Sequence, residues 1–179
     1  MFNKLIESPL LLTGARYGAI GAVLCMVFLI SLYYMGRNPF LINPFLDPRI
    51  PVYVVMLLFM LKEVRDFYFQ GTLYFWQGMI GAMIFTLVCA CLCWVLIMGF
   101  AAIQPDLVDS FIVQALEQTR SFSTEDINRI GKETFDQSLL ELKRADRYFL
   151  AGRYFFQSFI ISFFISIIIS VILRRQPQN

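Results

Sequence analysis

The sequence predicts an all-α fold, a four-span transmembrane helical bundle with an amphipathic helical hairpin inserted between spans 3 and 4. Hydrophobic residues make up 58% of the chain and the mean hydropathy is +0.65, whereas ordinary globular proteins hold about 45 to 50% apolar residues. Four long runs carry almost no charge, and one substantial charged stretch separates the last two runs. The bilayer is therefore the expected solvent for most of the chain.

The first two spans differ in length. A transmembrane helix needs about 20 apolar residues, each rising 1.5 Å, to cross a hydrocarbon core of about 30 Å. The run from Tyr17 to Gly36 meets this requirement. The second run begins near Ile50 but reaches Lys62 early, so we expect its helix to continue to Asp66.

The third and fourth spans end at clear boundaries. The third runs from about Thr72 to Ile103 and stops before Pro105. The fourth runs from Tyr154 to Leu173 and is followed by two arginines. An even number of spans places both termini on the same side of the membrane.

These spans divide the chain into three parts. Residues 1–103 hold the first three spans, 104–152 form a helical extramembrane insert, and 153–179 hold the fourth span and a short basic tail. We expect a multi-pass protein of a bacterial inner membrane with cytoplasmic termini. The raw distribution of Lys and Arg opposes this orientation. The acidic balance of the insert and the charges at the Lys62 turn and the tail favour it.

The insert has the pattern of an amphipathic hairpin. Pro105 and Asp106 open a predicted helix from Leu107 to Arg120, because Pro suits a first turn and acids complement the positive end of the helix dipole. A second helix is predicted after a cap at Ser123 or Thr124. Its apolar residues recur at roughly helical spacing: Ile127, Ile130, Phe135, Leu139 and Leu142. The core is too small to stand alone, so we expect the hairpin to rest on the membrane rim, the span ends or a partner. A partly disordered loop on the headgroups is the alternative.

A ridge of serines runs along the fourth span. Ser158, Ser162, Ser166 and Ser170 recur every four residues, which keeps them on one face of a helix. Small side chains allow close approach of a neighbouring helix, and hydroxyls can bond across the seam. We therefore interpret the ridge as a packing surface, with a polar path for an ion or substrate as the alternative. Phe163, Phe164, Ile167 and Ile168 are expected on the opposite, lipid-facing side.

Two other spans carry small-residue seams that could receive this ridge. In the first span the small residues are Gly14, Gly18 and Ala22, and in the third they are Gly78 and Ala82. Spacing by four places each set on one helix face. The pattern supports a compact bundle or a dimer and does not distinguish them.

A charged cluster follows the short second span. It consists of Lys62, Glu63, Arg65 and Asp66. Charges near hydrocarbon need partners or snorkelling, and Lys62 and Asp66 are spaced to pair on one helix face. We interpret the cluster as an interfacial anchor that compensates for the short span. A coupling site or a docking patch for a cytoplasmic protein is the alternative.

The run KEVRDFYFQGTLYFWQGMIGAMI, which begins at Lys62, resembles a signature of a bacterial membrane family called domain of unknown function 4199, found mainly in Bacteroidota. In that family a charged turn ends the second span, a Gly follows, and aromatic and small residues open the third span. The layout of the rest is similar, including GRYFFQSF before the last span and LRRQ after it. The resemblance implies a four-span inner-membrane protein with no established activity.

The residue types present give little support for catalysis or cofactors. The chain has no histidine, which removes histidine bases and histidine ligands of metals or haem. Cys25, Cys89, Cys91 and Cys93 fall within predicted spans, where thiolates are disfavoured, so we interpret them as packing residues. The sequence shows no nucleotide-binding or nucleophile motif, and a net charge of +2 does not favour nucleic acid. We expect no enzyme activity, cofactor or metal.

These observations favour a non-catalytic accessory or structural membrane subunit. Its partners would be other integral membrane proteins or copies of itself, bound through the small-residue helix faces and the amphipathic insert, within the lipid bilayer. A small transporter or channel is an alternative, although the predicted spans offer no buried acid or base for coupling. The resemblance adds a further alternative, an accessory partner of a polyprenyl-phosphate glycosyltransferase.

Overall fold

The computed structural model describes residues 9–42, 46–120 and 122–174, and its regular elements are helices. In chain order they are α1 (Pro9–Tyr34), α2 (Arg49–Glu63), a π-helical turn that continues α2 (Val64–Tyr68), α3 (Phe75–Ile103), α4 (Asp106–Arg120), α5 (Thr124–Ile130), α6 (Lys132–Lys143) and α7 (Arg147–Leu173). The all-α prediction is confirmed for these residues. The predicted basic tail after Arg174 lies outside them.

Three of the described helices, not four, are long and apolar enough to cross a membrane: α1, α3 and α7. The remaining candidate, α2, has 15 residues and is therefore about 22 Å long. Its helical path does continue beyond Glu63, as a π turn to Tyr68. The four-span prediction is not confirmed, because the second apolar run is too short to form a full crossing helix by itself.

Two of the long helices, α1 and α7, begin earlier than predicted. α1 starts at Pro9 and includes Arg16, and α7 starts at Arg147 and includes Arg153. A charged residue near a helix end does not stop the helix, because its long side chain can reach polar surroundings. The charged residues therefore mark where the apolar part of each helix begins, and the helix itself begins earlier.

The predicted second helix of the insert is divided in the structure. α4 forms as expected over Asp106–Arg120. Gly131 has φ +91° and separates α5 from α6. A positive φ suits glycine and interrupts a right-handed helix. The apolar residues keep a helical spacing on both sides of Gly131, which is why the sequence predicted one helix. The insert is a three-helix segment.

The helix α3 is central in the bundle. α1 packs along one side of it and α7 along another, while α2 contacts α1 and α7. α1 and α3 run in one direction, and α2 and α7 run in the other, as the contacts at their ends show. Glu63 binds Arg16 near the start of α1, and the Tyr33 ring contacts the Phe100 ring near the ends of α1 and α3. We call the end of the bundle where Glu63 meets the start of α1 the Glu63 end. The opposite end, where α1 and α3 end, is the insert end.

The seam between α1 and α3 depends on glycine. A Cβ atom on Gly18 would lie 2.8 Å from the backbone oxygen of Phe85, and one on Gly14 would lie 3.2 Å from that of Gly81. Ala22 is fully buried in the same seam. The two backbones are therefore too close for any side chain larger than hydrogen at Gly18.

The outer surface of the bundle is apolar and exposed. Phe163, Phe164 and Ile168 of α7 are exposed, opposite the buried serines of the same helix, while Ile167 is half-buried. Apolar side chains also cover the outside of α1 and α3. A surface of this kind suits acyl chains as its solvent.

Replacing Gly18 with Ala should destabilise the bundle by about 1 to 3 kcal/mol, because its new Cβ would press on backbone that cannot rotate away. Gly99 is the matched control, since it also lies in a helix and a Cβ there has no neighbour within 4 Å. Gly99→Ala should be neutral or stabilising. Thermal unfolding in detergent measures both changes, and equal melting temperatures for the two variants would contradict the tight seam.

Candidate functional site

Several of the described residues between α1 and α2, among them Asn38, Phe40 and Asp47, are buried at the insert end of the bundle. The Phe40 ring makes edge contacts with the rings of Phe111 in α4, at 6.0 Å, and Tyr154 in α7, at 6.1 Å. The insert therefore covers Phe40 through α4.

Asp47 and Arg49 form a buried ion pair at the start of α2. Asp47 and Arg49 are 5% and 4% exposed, values at which a charge needs a partner. Oδ1 of Asp47 accepts hydrogen bonds from the backbone N–H of Arg49 at 2.9 Å and from its Nε at 2.8 Å. Oδ2 accepts from Nε at 2.9 Å and also from Nη2. The carboxylate thus accepts the first backbone N–H of α2 and also neutralises the guanidinium.

The same guanidinium reaches across to α7. Its Nη1 donates to Oγ of Ser158 at 2.9 Å and to the backbone oxygen of Tyr154 at 3.3 Å. Its central carbon lies 4.2 Å from the centroid of the Tyr154 ring, a cation–π distance. Arg49 therefore joins the start of α2 to α7.

The ion pair lies well inside the length of the bundle. Ser158 is about three turns from the start of α7, and Cys25 and Leu29 of α1 line the small cavity beside the pair. The cavity measures about 10 Å³, which is about the least space that holds one water. In this conformation the pair has no room for a substrate, and its chemistry is to hold three segments together.

The serine ridge continues from this site along α7. Ser158, Ser162, Ser166 and Ser170 are all buried. The hydroxyls of Ser162 and Thr86 in α3 are 2.6 Å apart, and Ser166 donates to the backbone oxygen of Ser162 at 2.6 Å. The ridge faces α3, one of the two spans whose seams could receive it.

The last serine fits against the third-span seam. A Cβ on Gly78 would lie 3.0 Å from Oγ of Ser170, and Ala82 is buried one turn further along α3. Oγ of Ser170 is buried without a hydrogen-bond partner among the described residues. Ser170 therefore packs closely against Gly78 while its hydroxyl stays unpaired among the described residues.

Two ion pairs form in the charged cluster at the Glu63 end. Oε1 and Oε2 of Glu63 both accept from Nη2 of Arg16 at 2.6 Å, and Oε2 accepts from the Tyr17 hydroxyl at 2.8 Å. Oδ1 of Asp66 accepts from Nε of Arg65 at 2.7 Å, and Lys62 is exposed. The pairing of Lys62 with Asp66 stays a prediction.

The cysteines lie between α1 and α3, except one. Cys25, Cys89 and Cys93 are buried and Cys91 is exposed. Sγ of Cys93 lies 3.9 Å from the backbone oxygen of Ala22, which accepts its weak hydrogen bond. The described residues contain no group of three ligand-type side chains arranged for a metal ion.

Sequence reasoning missed the ion pair. The predicted second span begins near Ile50, so it left both Asp47 and Arg49 outside the membrane, whereas the structure buries them. The signal was the run DPR immediately before an apolar stretch too short to cross the membrane. Both the DPR run and the short apolar stretch are explained by a short helix that starts inside the bundle at Arg49.

The family model described as a protein of unknown function (DUF4199) matches residues 16–175. The chain belongs to the DUF4199 family. This confirms the resemblance drawn from the run after Lys62. No curated protein and no solved structure gives a significant match.

Asp47→Asn should lower the free energy of unfolding of this DUF4199 protein by about 3 to 5 kcal/mol, because it leaves the buried guanidinium without a counter-charge. Glu63→Gln removes a carboxylate from the more exposed pair with Arg16, so it should cost about 1 kcal/mol or less. Thermal unfolding in detergent at one pH compares the two. A similar loss in both variants would mean that burial adds nothing to the Asp47 pair.

Proposed function

We propose that this protein is a non-catalytic accessory or structural subunit that binds another integral membrane protein through its insert. One observation carries the proposal. The small-residue seams of α1, α3 and α7 face each other within the chain, so they have no free surface for a partner. The insert, in contrast, leaves apolar side chains exposed on α4 and α6, among them Val113 and Leu140.

The packing of the insert supports this division of roles. α6 contains no buried residue, whereas Leu107, Phe111 and Ala115 of α4 are buried. α4 therefore attaches the insert to the bundle, and α6 is held mainly by its neighbours within the insert. An element with so few buried contacts is where a partner adds the most stability.

We also propose a four-crossing topology in a bacterial inner membrane, with both termini in the cytoplasm and the insert outside. The support is the alternating direction of the helices. The residues before α2, α2 itself and its π turn would together complete the second crossing. Irregular backbone at membrane depth is tolerated where protein surrounds it, and Asn38, Phe40 and Asp47 are buried.

A single labelling experiment tests partner and orientation. A membrane-impermeant, thiol-reactive photo-crosslinker should modify Leu140→Cys in intact cells with a permeable outer membrane. Illumination should then shift the chain to the mass of a complex. Lys62→Cys is the matched control, because Lys62 is exposed at the Glu63 end and should react after cell lysis alone.

The outcomes separate the two proposals. Reaction of Lys62→Cys but not Leu140→Cys in intact cells would reverse the orientation. A labelled Leu140→Cys chain that gains no partner mass would oppose a subunit role, and a mass of two chains would identify the partner as a second copy.

The alternative of a small transporter has one observation in its favour. Buried charges within membrane spans mark transport pathways in many proteins, and Asp47 and Arg49 adjoin the buried serines of α7. If it is a transporter, proteoliposomes should show chloride flux that the double variant Asp47→Leu/Arg49→Met abolishes, since paired apolar replacement preserves packing. Equal flux from both proteins, or none above empty liposomes, would reject this alternative.

A further inference from the structure

A cavity of about 410 Å³ lies between the insert and the start of α7. This volume is in the range of small-molecule sites. Its apolar wall comes from the turn between α4 and α5, from α6 and from the first turn of α7, and includes Phe122, Phe135, Leu139, Leu142 and Phe149. A water-filled cavity with such a wall would gain free energy by taking up an apolar chain.

A cation borders this cavity. Arg153 of α7 lines it and is exposed on its other side. Its guanidinium carbon lies 5.7 Å from the centroid of the Phe111 ring. Arg153 takes part in no ion pair among residues 9–42, 46–120 and 122–174. An aromatic ring therefore positions a charge that has no acidic partner in the described chain.

A second cavity of about 340 Å³ adjoins the first and shares Phe122, Phe135 and Leu139 with it. Two more bases, Arg120 and Lys143, line this second cavity. Glu141 lines the first, so the bases outnumber the acid around the combined space. The charge complementarity favours an occupant with a negative head and an apolar body.

The position along α7 matches a lipid headgroup. The uncharged stretch that starts at Tyr154 and ends at Leu173 is about 30 Å long, the thickness of the hydrocarbon core. Arg153 directly precedes it and therefore lies where lipid phosphates lie. Basic pockets at this depth between membrane helices bind lipid headgroups in other proteins.

We infer that the cavity between α4, α6 and α7 binds an anionic phospholipid of the surrounding bilayer, with its phosphate at Arg153 and an acyl chain among the aromatic residues of the insert. The lipid would join α6 to the bundle, where the chain itself provides few buried contacts. This site is independent of the proposed partner, because the partner surface is the exposed side of the insert.

Native mass spectrometry of the whole chain tests this site with phosphatidylglycerol and phosphatidylcholine offered in equal amounts. The intact protein should retain phosphatidylglycerol preferentially, and Arg153→Gln should weaken that retention about tenfold, as expected for a lost charged hydrogen bond. Arg147→Gln is the matched control. It removes the same charge from the same helix, but Arg147 stacks on Tyr148 and does not line the cavity.

A second variant tests the acyl-chain part of the site. Ser138 lines the cavity and is exposed, so Ser138→Trp can fill the space without opening the bundle. It should reduce retention of phosphatidylglycerol while the melting temperature in detergent stays close to that of the original chain. Unchanged retention by Ser138→Trp would place the lipid elsewhere and overturn the inference.

Three other outcomes would also overturn it. Equal loss from Arg153→Gln and Arg147→Gln would show a general charge effect, and equal retention of the two lipids would show that the headgroup is not recognised. Competition by inorganic phosphate at the strength of the lipid would show an anion site with no role for the acyl chain.

Discussion

The structure depends on neutralising one charge inside an apolar bundle. Arg49 would be costly among membrane helices, and it is stable there because Asp47 is close in sequence and lies buried beside it. The guanidinium then uses its remaining donors on α7. Through this pair a short helix becomes a fixed part of the bundle, although it lacks the length to cross a membrane unaided.

The second constraint is the distance between helix backbones. Glycines in α1 meet backbone oxygens of α3, and the serines of α7 meet a glycine and a threonine on another side of α3. Small side chains permit this approach, and the hydroxyls of Ser158, Ser162 and Ser166 find partners across or along the seam. The result is one chain whose inner faces are occupied, so any wider assembly must use the outer apolar surface or the insert.

Much of this architecture could be predicted from sequence. Apolar runs gave the three long helices, and periodicity by four placed the serines on one face. Prediction failed where a local conformation changed the pattern. Gly131 divides one periodic segment into two helices. It also missed Asp47 and Arg49, since burial of a flanking charge depends on loop geometry that composition does not encode.

The two sets of Arg49 contacts differ greatly in sequence separation, with an important consequence for biosynthesis. Asp47 is two residues away, whereas Ser158 is 109 residues away. During translation the carboxylate is available long before α7 emerges from the ribosome. The nascent α2 can therefore leave the translocon already neutral and wait for the final helix to enclose it.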